Sequence, residues 1–411
     1  MIKSNKKMEK KNGENNLPNI LEKKKEREKK AINSKVSNND YKDESINFDD
    51  VENFSIEFIS NPKKIFYFQK MKIDNWVNNN NLTNTFISLK SFDNLLYLIY
   101  SDYKFSIIAY NIIDNKKIIE IKNAHYNHIS KFKHYLDKIN NRDLLISISN
   151  WYYNIKLWNI NNWECLYNFQ DNSYGNYYKY SADFLIYNNE ILIIIGRTNI
   201  FDTEIITPED KIRVYDLKGK KIKEIKNSNI VISNIFTYYD NKLNKIFIIG
   251  ADRKFINSYD YNENKLYYKY SCKDENEDNE EKEEIDNYDP SSIFRINVKE
   301  ELVELIYLDG FGNINIWNFH SGELLKKIEI NKIFIYDILL WNKKYLFLGC
   351  SDYTIKLIEL DNYKVIKTLI GHNDIVQNLT KIIHPKFGEC LLSQGKYNGE
   401  ILLWFKNCIS N

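Results

Sequence analysis

Asn154-Ile155-Lys156-Leu157-Trp158-Asn159 returns further along the chain as Asn313-Ile314-Asn315-Ile316-Trp317-Asn318 and as Gly399-Glu400-Ile401-Leu402-Leu403-Trp404. Each copy alternates apolar and polar residues, ends on or beside Trp, and follows a second alternating run and a turn. A period of two puts one residue set on each face of a strand, so each copy reads as the second half of a β-hairpin. A hairpin repeated at wide spacing marks an array of like units rather than a domain with one core.

The apolar residue at the Trp position serves as a ruler, giving Tyr110, Trp158, Tyr215, Tyr259, Trp317, Ile358 and Trp404. The steps are about 48, 57, 44, 58, 41 and 46 residues, close to the ~40–45 of a four-stranded propeller blade. Both long steps have a visible cause: residues 197–211 interrupt the third unit, and the acidic run 273–289 separates the fourth from the fifth. Strand-like runs follow one another from about residue 53, with no helical periodicity. The expected fold is therefore all-β, a seven-bladed β-propeller of four-stranded antiparallel blades over 53–411.

Residues 1–52 differ in kind. They are rich in Lys, Glu and Asn, include Lys23-Lys24-Lys25-Glu26-Arg27-Glu28-Lys29-Lys30, and hold almost no aromatic residues. Such a segment cannot bury enough apolar surface to offset its ordering entropy, so a disordered tail is expected. Nuclear import or RNA contact is the sharper reading of its charge, and the interleaved Glu residues weaken it.

The chain of 411 residues has a net charge of +2, which points to neither nucleic acid nor an anionic membrane. Hydrophobic residues make up 43%, with 31 Tyr and 22 Phe, an aromatic excess that favours strands. Only 13 Gly are present, and Asn, Lys and Ile stand where Gly, Arg or Val would be usual. Five scattered Cys without a CxxC pair fit a reducing compartment, and no apolar run approaches the ~20 residues of a membrane span. The expectation is a protein of the cytoplasm or nucleus.

At this point a resemblance becomes specific. Leu144-Leu145-Ile146-Ser147-Ile148-Ser149 with Ile155-Lys156-Leu157-Trp158-Asn159 resembles strands b and c of the WD40-repeat family, as does Gly349-Cys350-Ser351-Asp352-Tyr353-Thr354-Ile355-Lys356-Leu357. Gly371-His372 opens the last unit as that family's Gly-His does, and Ala124-His125 is a degenerate form before the second. The resemblance covers about residues 60–405. The aspartate after Trp is replaced by Asn159, Asn318 or Phe405, and survives only after Tyr as Asp216 and Asp260. No unit holds the family's full set of His, Ser or Thr, Asp and Trp. The resemblance implies that Lys64-Ile65-Phe66-Tyr67-Phe68-Gln69-Lys70 completes the last blade and closes the ring, removing open sheet edges.

The resemblance also implies that the b–c turns and the links between blades share one face. Placed there, the b–c turns carry Tyr103, Lys104, Trp151, Tyr152, Tyr153, Arg253, Lys254, Phe311, Tyr353, Lys396 and Tyr397. Turn tips ordinarily favour Gly, Asn, Asp and Ser, so aromatic and basic residues around one rim read as a partner-binding surface. The competing reading is packing against neighbours, in a chain that is 15% aromatic throughout. Both insertions fall on this face; the acidic one reads as a solvated loop, or more sharply as a screen over the basic rim. Trp158, Trp317 and Trp404 read as structural, filling the contact between blades. His372 and Asp352 are assigned structural roles within their blades.

No motif for a reaction is present. The six His lack Cys or carboxylates at zinc-site spacing, so no metal is expected. Gly310-Phe311-Gly312 lacks a third glycine and leads into a strand, and no Gly-x-Ser-x-Gly elbow occurs. Lys218 alone keeps the charge found two residues beyond the Trp-Asp pair in propeller adaptors of cullin ligases, and the Phe-Arg-Arg-Gly of phosphoinositide-binding propellers is absent. Neither a cofactor nor a small-molecule substrate is expected. The function expected is a non-catalytic scaffold for protein or peptide partners within a multiprotein complex. The alternative is an RNA-associated component using the tail and the aromatic rim, which steep salt dependence would reveal.

Overall fold

A computed structural model describes residues 63–66, 85–102, 104–114, 116–149, 154–169, 178–199, 211–225, 234–251, 255–271, 293–308, 313–330, 333–397 and 399–405. These residues form seven four-stranded antiparallel sheets and no helix. The first blade holds β2 (Phe86–Lys90), β3 (Leu96–Ser101), β4 (Ile107–Asn111) and β5 (Lys116–Ile121). The second holds β6 (Ile129–Asp137), β7 (Arg142–Ser149), β8 (Asn154–Asn159) and β9 (Glu164–Phe169). The third holds β10 (Tyr178–Tyr187), β11 (Glu190–Asn199), β12 (Arg213–Asp216) and β13 (Lys221–Glu224). The fourth holds β14 (Asn234–Asp240), β15 (Lys245–Ala251), β16 (Phe255–Asp260) and β17 (Lys265–Ser271). The fifth holds β18 (Ile293–Val298), β19 (Val303–Leu308), β20 (Ile314–Asn318) and β21 (Leu324–Ile328). The sixth holds β22 (Ile335–Trp341), β23 (Tyr345–Cys350), β24 (Thr354–Glu359) and β25 (Lys364–Ile370). The seventh holds β26 (Val376–His384), β27 (Gly388–Gly395), β28 (Ile401–Phe405) and, from the other end of the chain, β1 (Lys63–Phe66).

The closing strand pairs Lys63 with Leu403, Lys64 with Leu402 and Phe66 with Ile401. Its described span starts one residue before the segment read from the sequence, and residues 67–70 of that segment lie outside the described residues. The tail 1–52 and residues 273–289 also lie outside them. Of residues 197–211, the first three continue β11 and pair with Tyr178–Tyr180, and 200–210 lie outside.

Burial explains the sequence pattern strand by strand. The second strands are covered on both faces by neighbouring blades, so β19 is buried throughout and reads Val-Glu-Leu-Ile-Tyr-Leu. The fourth strands form the outer edge, and β5 is exposed over its first half. Buried apolar residues fall into seven clusters, each between two adjacent blades. One of them joins Leu96 and Leu98 of the first blade to Leu392 and Ile401 of the seventh, so the ring is closed.

In blades one to six the pairing of third and fourth strands shifts register immediately before the ruler residue. The shifts fall at Ala109/Tyr110, Leu157/Trp158, Val214/Tyr215, Ser258/Tyr259, Ile316/Trp317 and Leu357/Ile358. A bulge adds twist where the outer strand turns away, so the repeated Trp phrase marks a backbone irregularity as well as a buried ring.

Candidate functional site

In a four-stranded antiparallel meander the turn between second and third strands lies at the same end as the entry to the first strand and the exit from the fourth. The b–c turns and the links between blades therefore share one face of the ring, while the a–b and c–d turns share the other. Of the rim residues read from the sequence, Lys104, Tyr353, Lys396 and Tyr397 are described. Tyr103, Trp151, Tyr152, Tyr153, Arg253, Lys254 and Phe311 lie outside the described residues.

Three of the four described residues come together across blades six and seven. The Lys396 ammonium lies 4.6 Å from the ring centre of Tyr336 and 5.3 Å from that of Tyr397, a cation–π arrangement. Tyr336 reaches this place because it is the extra residue of the bulge between Ile335 and Asp337 at the rim end of β22. Tyr397 keeps 62% of its surface exposed and Tyr353 49%. Burial, helped by Asp374 and Tyr353, raises the Tyr397 phenol above its ordinary range; burial and Tyr397 do the same for Tyr336. The phenols of Tyr397 and Tyr336 are therefore donors at neutral pH.

The backbone beneath this cluster is fixed. Lys396 N donates to Ile375 O at 2.7 Å, and Tyr397 N donates to the Asp374 carboxylate. Tyr353 occupies a left-handed position, φ 68°, at the tip of the next b–c turn. A large ring there is a departure from the Gly or Asn such a position favours. Asp352 beside it accepts from Thr354 N and Oγ1 and pairs with Lys356 Nζ at 2.9 Å, holding the turn. Lys104 is exposed on the first blade, next around the ring; its N–H donates to Asp102 Oδ1 at 3.0 Å.

Beneath the rim, two blades carry the same buried triplet. His372 Nε2 lies 2.6 Å from Ser393 Oγ, and Trp404 Nε1 donates to that oxygen at 2.7 Å. In the second blade His125, Ser147 and Trp158 repeat the arrangement at 2.6 and 2.8 Å. Burial holds both imidazoles well below the ordinary histidine range, at about 4 for His372 and, with Lys156 contributing, about 3 for His125. They are neutral and do not serve as acids or bases near pH 7. Trp317 is buried without such a triplet and packs against Tyr270 and Tyr307.

From the sequence His125 enters as part of a degenerate dipeptide and as one of six histidines without metal-site partners. A usable signal was present: His, Ser and Trp recur at intervals of 22 and 11 residues in blade two and 21 and 11 in blade seven. Tyr126 was also missed; it stands 79% exposed on the link between blades one and two, on the rim face. Attention to turns alone passes over the links that share their face.

Among the described residues no group of three or more His, Cys, Asp or Glu could hold a metal, and no helix is long and apolar enough to cross a membrane. The class the fold defines is a seven-bladed β-propeller of four-stranded blades. No family model matches the chain. It is similar to myosin heavy chain kinase C of Dictyostelium discoideum, with 33% identity over 67 residues, which cover 15% of this chain and 8% of that protein. The chain thus spans a small fraction of the length of the curated relative it matches.

Proposed function

We propose that this chain is a WD40-type propeller acting as a non-catalytic platform that presents its b–c rim to protein or peptide partners. The observation that carries the reading is the cluster of Tyr336, Lys396 and Tyr397, with Tyr353 on the adjoining turn. It offers apolar ring faces, phenol donors and one cation on a backbone already tied down by Asp374 and Ile375. Aromatic anchors on a fixed backbone lose little entropy on binding, which is how a modest patch gains affinity. The complement is an extended peptide carrying carboxylates opposite Lys396 and apolar side chains over the rings. The paired His–Ser–Trp triplets support the WD40 assignment, since they are three members of that family's four-residue set. The similarity to a kinase covers too little of that protein to bring catalysis to this one.

The test is capture of partners by the full chain in parallel with Tyr353→Ala/Tyr397→Ala and with Tyr239→Ala, an exposed ring on the opposite face. The rim variant is expected to lose most captured protein while the control keeps it. Equal capture by all three would place binding elsewhere. If captured material is RNA, and retention falls steeply between low and moderate salt, the nucleic-acid reading replaces this one.

A further inference from the structure

The first strands of successive blades lie side by side, β2 with β6, β6 with β10, β10 with β14, β18 with β22, β22 with β26 and β26 with β2, so they line the axis of the ring. Lys131 and Lys133 project from the same face of β6. Lys131 Nζ donates to Asn234 Oδ1 at 2.8 Å. Asn234 belongs to the fourth blade and Lys131 to the second, so this bond spans the first strand of blade three on the side of the axis. Lys133 also reaches blade four, with its ammonium 5.8 Å from the ring centre of Phe236, while pairing with Asp183 of blade three at 3.2 Å. From the far side Arg295 of β18 donates Nη1 to Phe294 O and lies 3.4 Å from Asp337 Oδ1.

The balance of donors and acceptors at this level is lopsided. Among the described residues Lys131 has one hydrogen bond, to a neutral amide, and no carboxylate within salt-bridge distance. Arg295 has one good bond and one long one for its five N–H groups. The two carboxylates are already occupied. Asp337 accepts backbone N–H from Ile338 at 2.8 Å and Leu379 at 2.6 Å, and Asp183 accepts from Phe184 N at 2.9 Å. Exposure shows the same asymmetry. Lys133 and Arg295 side chains keep 24% and 32% of their surface, against 13% for Asp183 and 9% for Asp337. Among the described residues at this level the cations are therefore more open than the carboxylates.

We propose that the axial lumen is a binding site for a small tetrahedral oxyanion of the phosphate class, held by Lys131, Lys133 and Arg295. An anion with several acceptor oxygens satisfies the surplus donors of three side chains at once, and charge-assisted bonds in an enclosed place are the strong kind. The state of Lys131 fits. Burial first, then Lys133 and Arg295, draw its ammonium down to about 7, against the opposing pull of Asp183 and Asp337. A bound anion reverses that balance, so Lys131 takes up a proton as the anion enters. Binding therefore strengthens as pH falls from 8 to 6. Asp337, pushed up to about 6 by burial, adds to the trend at the acid end as its charge is neutralised. This site is independent of the rim.

The test is calorimetric titration of the full chain with sulfate, an oxyanion that does not itself titrate in this range, with chloride at matched ionic strength as control. Expected are saturable binding to sulfate alone, about eightfold tighter at pH 6.5 than at pH 8, and a heat at pH 7 that changes with the buffer's ionisation enthalpy as a proton is taken up. Lys131→Met, which keeps the length of the side chain, is expected to abolish the buffer dependence and weaken binding at least tenfold. Tyr397→Ala at the rim keeps both. Parallel titrations with inorganic phosphate and glycerol phosphate tell a free ion from an esterified one. No saturable heat, equal response to chloride, or unchanged binding by a folded Lys131→Met would each overturn the proposal.

Discussion

The indole N–H of Trp404 donates to the Ser393 hydroxyl across 2.7 Å, linking β28 to β27 inside the seventh blade. The same oxygen lies 2.6 Å from His372 Nε2, so one hydroxyl joins the indole and the imidazole. Nδ1 of His372 and of His125 have no protein partner in the described structure. Among the described residues no aspartate joins either triplet.

Ser393→Ala removes the shared oxygen and leaves two buried polar groups facing a methyl. A loss of about 1–3 kcal/mol is expected, read as a lower urea midpoint at unchanged slope. Ser147→Ala should cost a similar amount in blade two. The blades are not adjacent, so the double variant should lose the sum of the two within about 0.5 kcal/mol. A clear departure from additivity would mean that the triplets communicate around the ring.

Acid should expose these histidines. Each has a folded pKa below its unfolded value near 6.5, so its stabilising effect is present above pH 6.5 and fades as pH falls towards the folded value. By pH 4.5 each is expected to lower stability by about 2–3 kcal/mol relative to pH 7. Asp337 acts in the opposite sense: its folded pKa of about 6 is raised, so protonation between 6 and 3.8 relieves a buried charge. The histidines outnumber it, and the net slope is downward. Unfolding titrations of wild type and His372→Gln from pH 7 to 4.5 check this, and the variant should lose less stability over that window.

The propeller was legible because burial on both faces leaves a trace in every inner strand, and because the ruler residue sits at a register shift the fold repeats. Scarcity of glycine hid little. Asn94, Asn123, Asn141, Asn188, Asn189, Asn244, Asn264 and Asn342 all adopt positive φ, so asparagine performs the turn chemistry that glycine usually does. Asn188-Asn189 makes the two-residue hairpin between Tyr187 and Glu190 in this way. The axial network was not legible. Lys131 and Asn234 are 103 residues apart and meet because first strands of successive blades gather around the axis. Tyr336 was hidden for a different reason, since only a bulge carries it to the rim.

Closure makes a separate prediction. Truncation through residue 66 removes β1 and leaves β28 as an open edge with unpaired backbone groups. A fall in melting temperature and concentration-dependent self-association are expected, followed by calorimetry and gel filtration. Truncation through residue 52 should leave both unchanged. Equal harm from the shorter deletion would show that the tail contributes to the folded ring.

Glycine positions divide by cause, which gives the sharpest stability test. A methyl built on Gly349 of β23 would lie 2.5 Å from the backbone oxygen of Val376 in the next blade. Gly388 has φ 68° with nothing within 4 Å of such a methyl. Gly388→Ala is therefore expected to cost only conformational strain, about 1 kcal/mol. Gly349→Ala has to separate two blades and should cost about 1–3 kcal/mol, towards the upper end because backbone yields less than a side chain. Adding Val376→Ala to Gly349→Ala should give little rescue, since the nearest opposing atom is the carbonyl oxygen at 2.5 Å and the valine Cγ1 stands farther off at 3.2 Å. Recovery of stability in that double variant would show that the blades are spaced by the valine side chain instead.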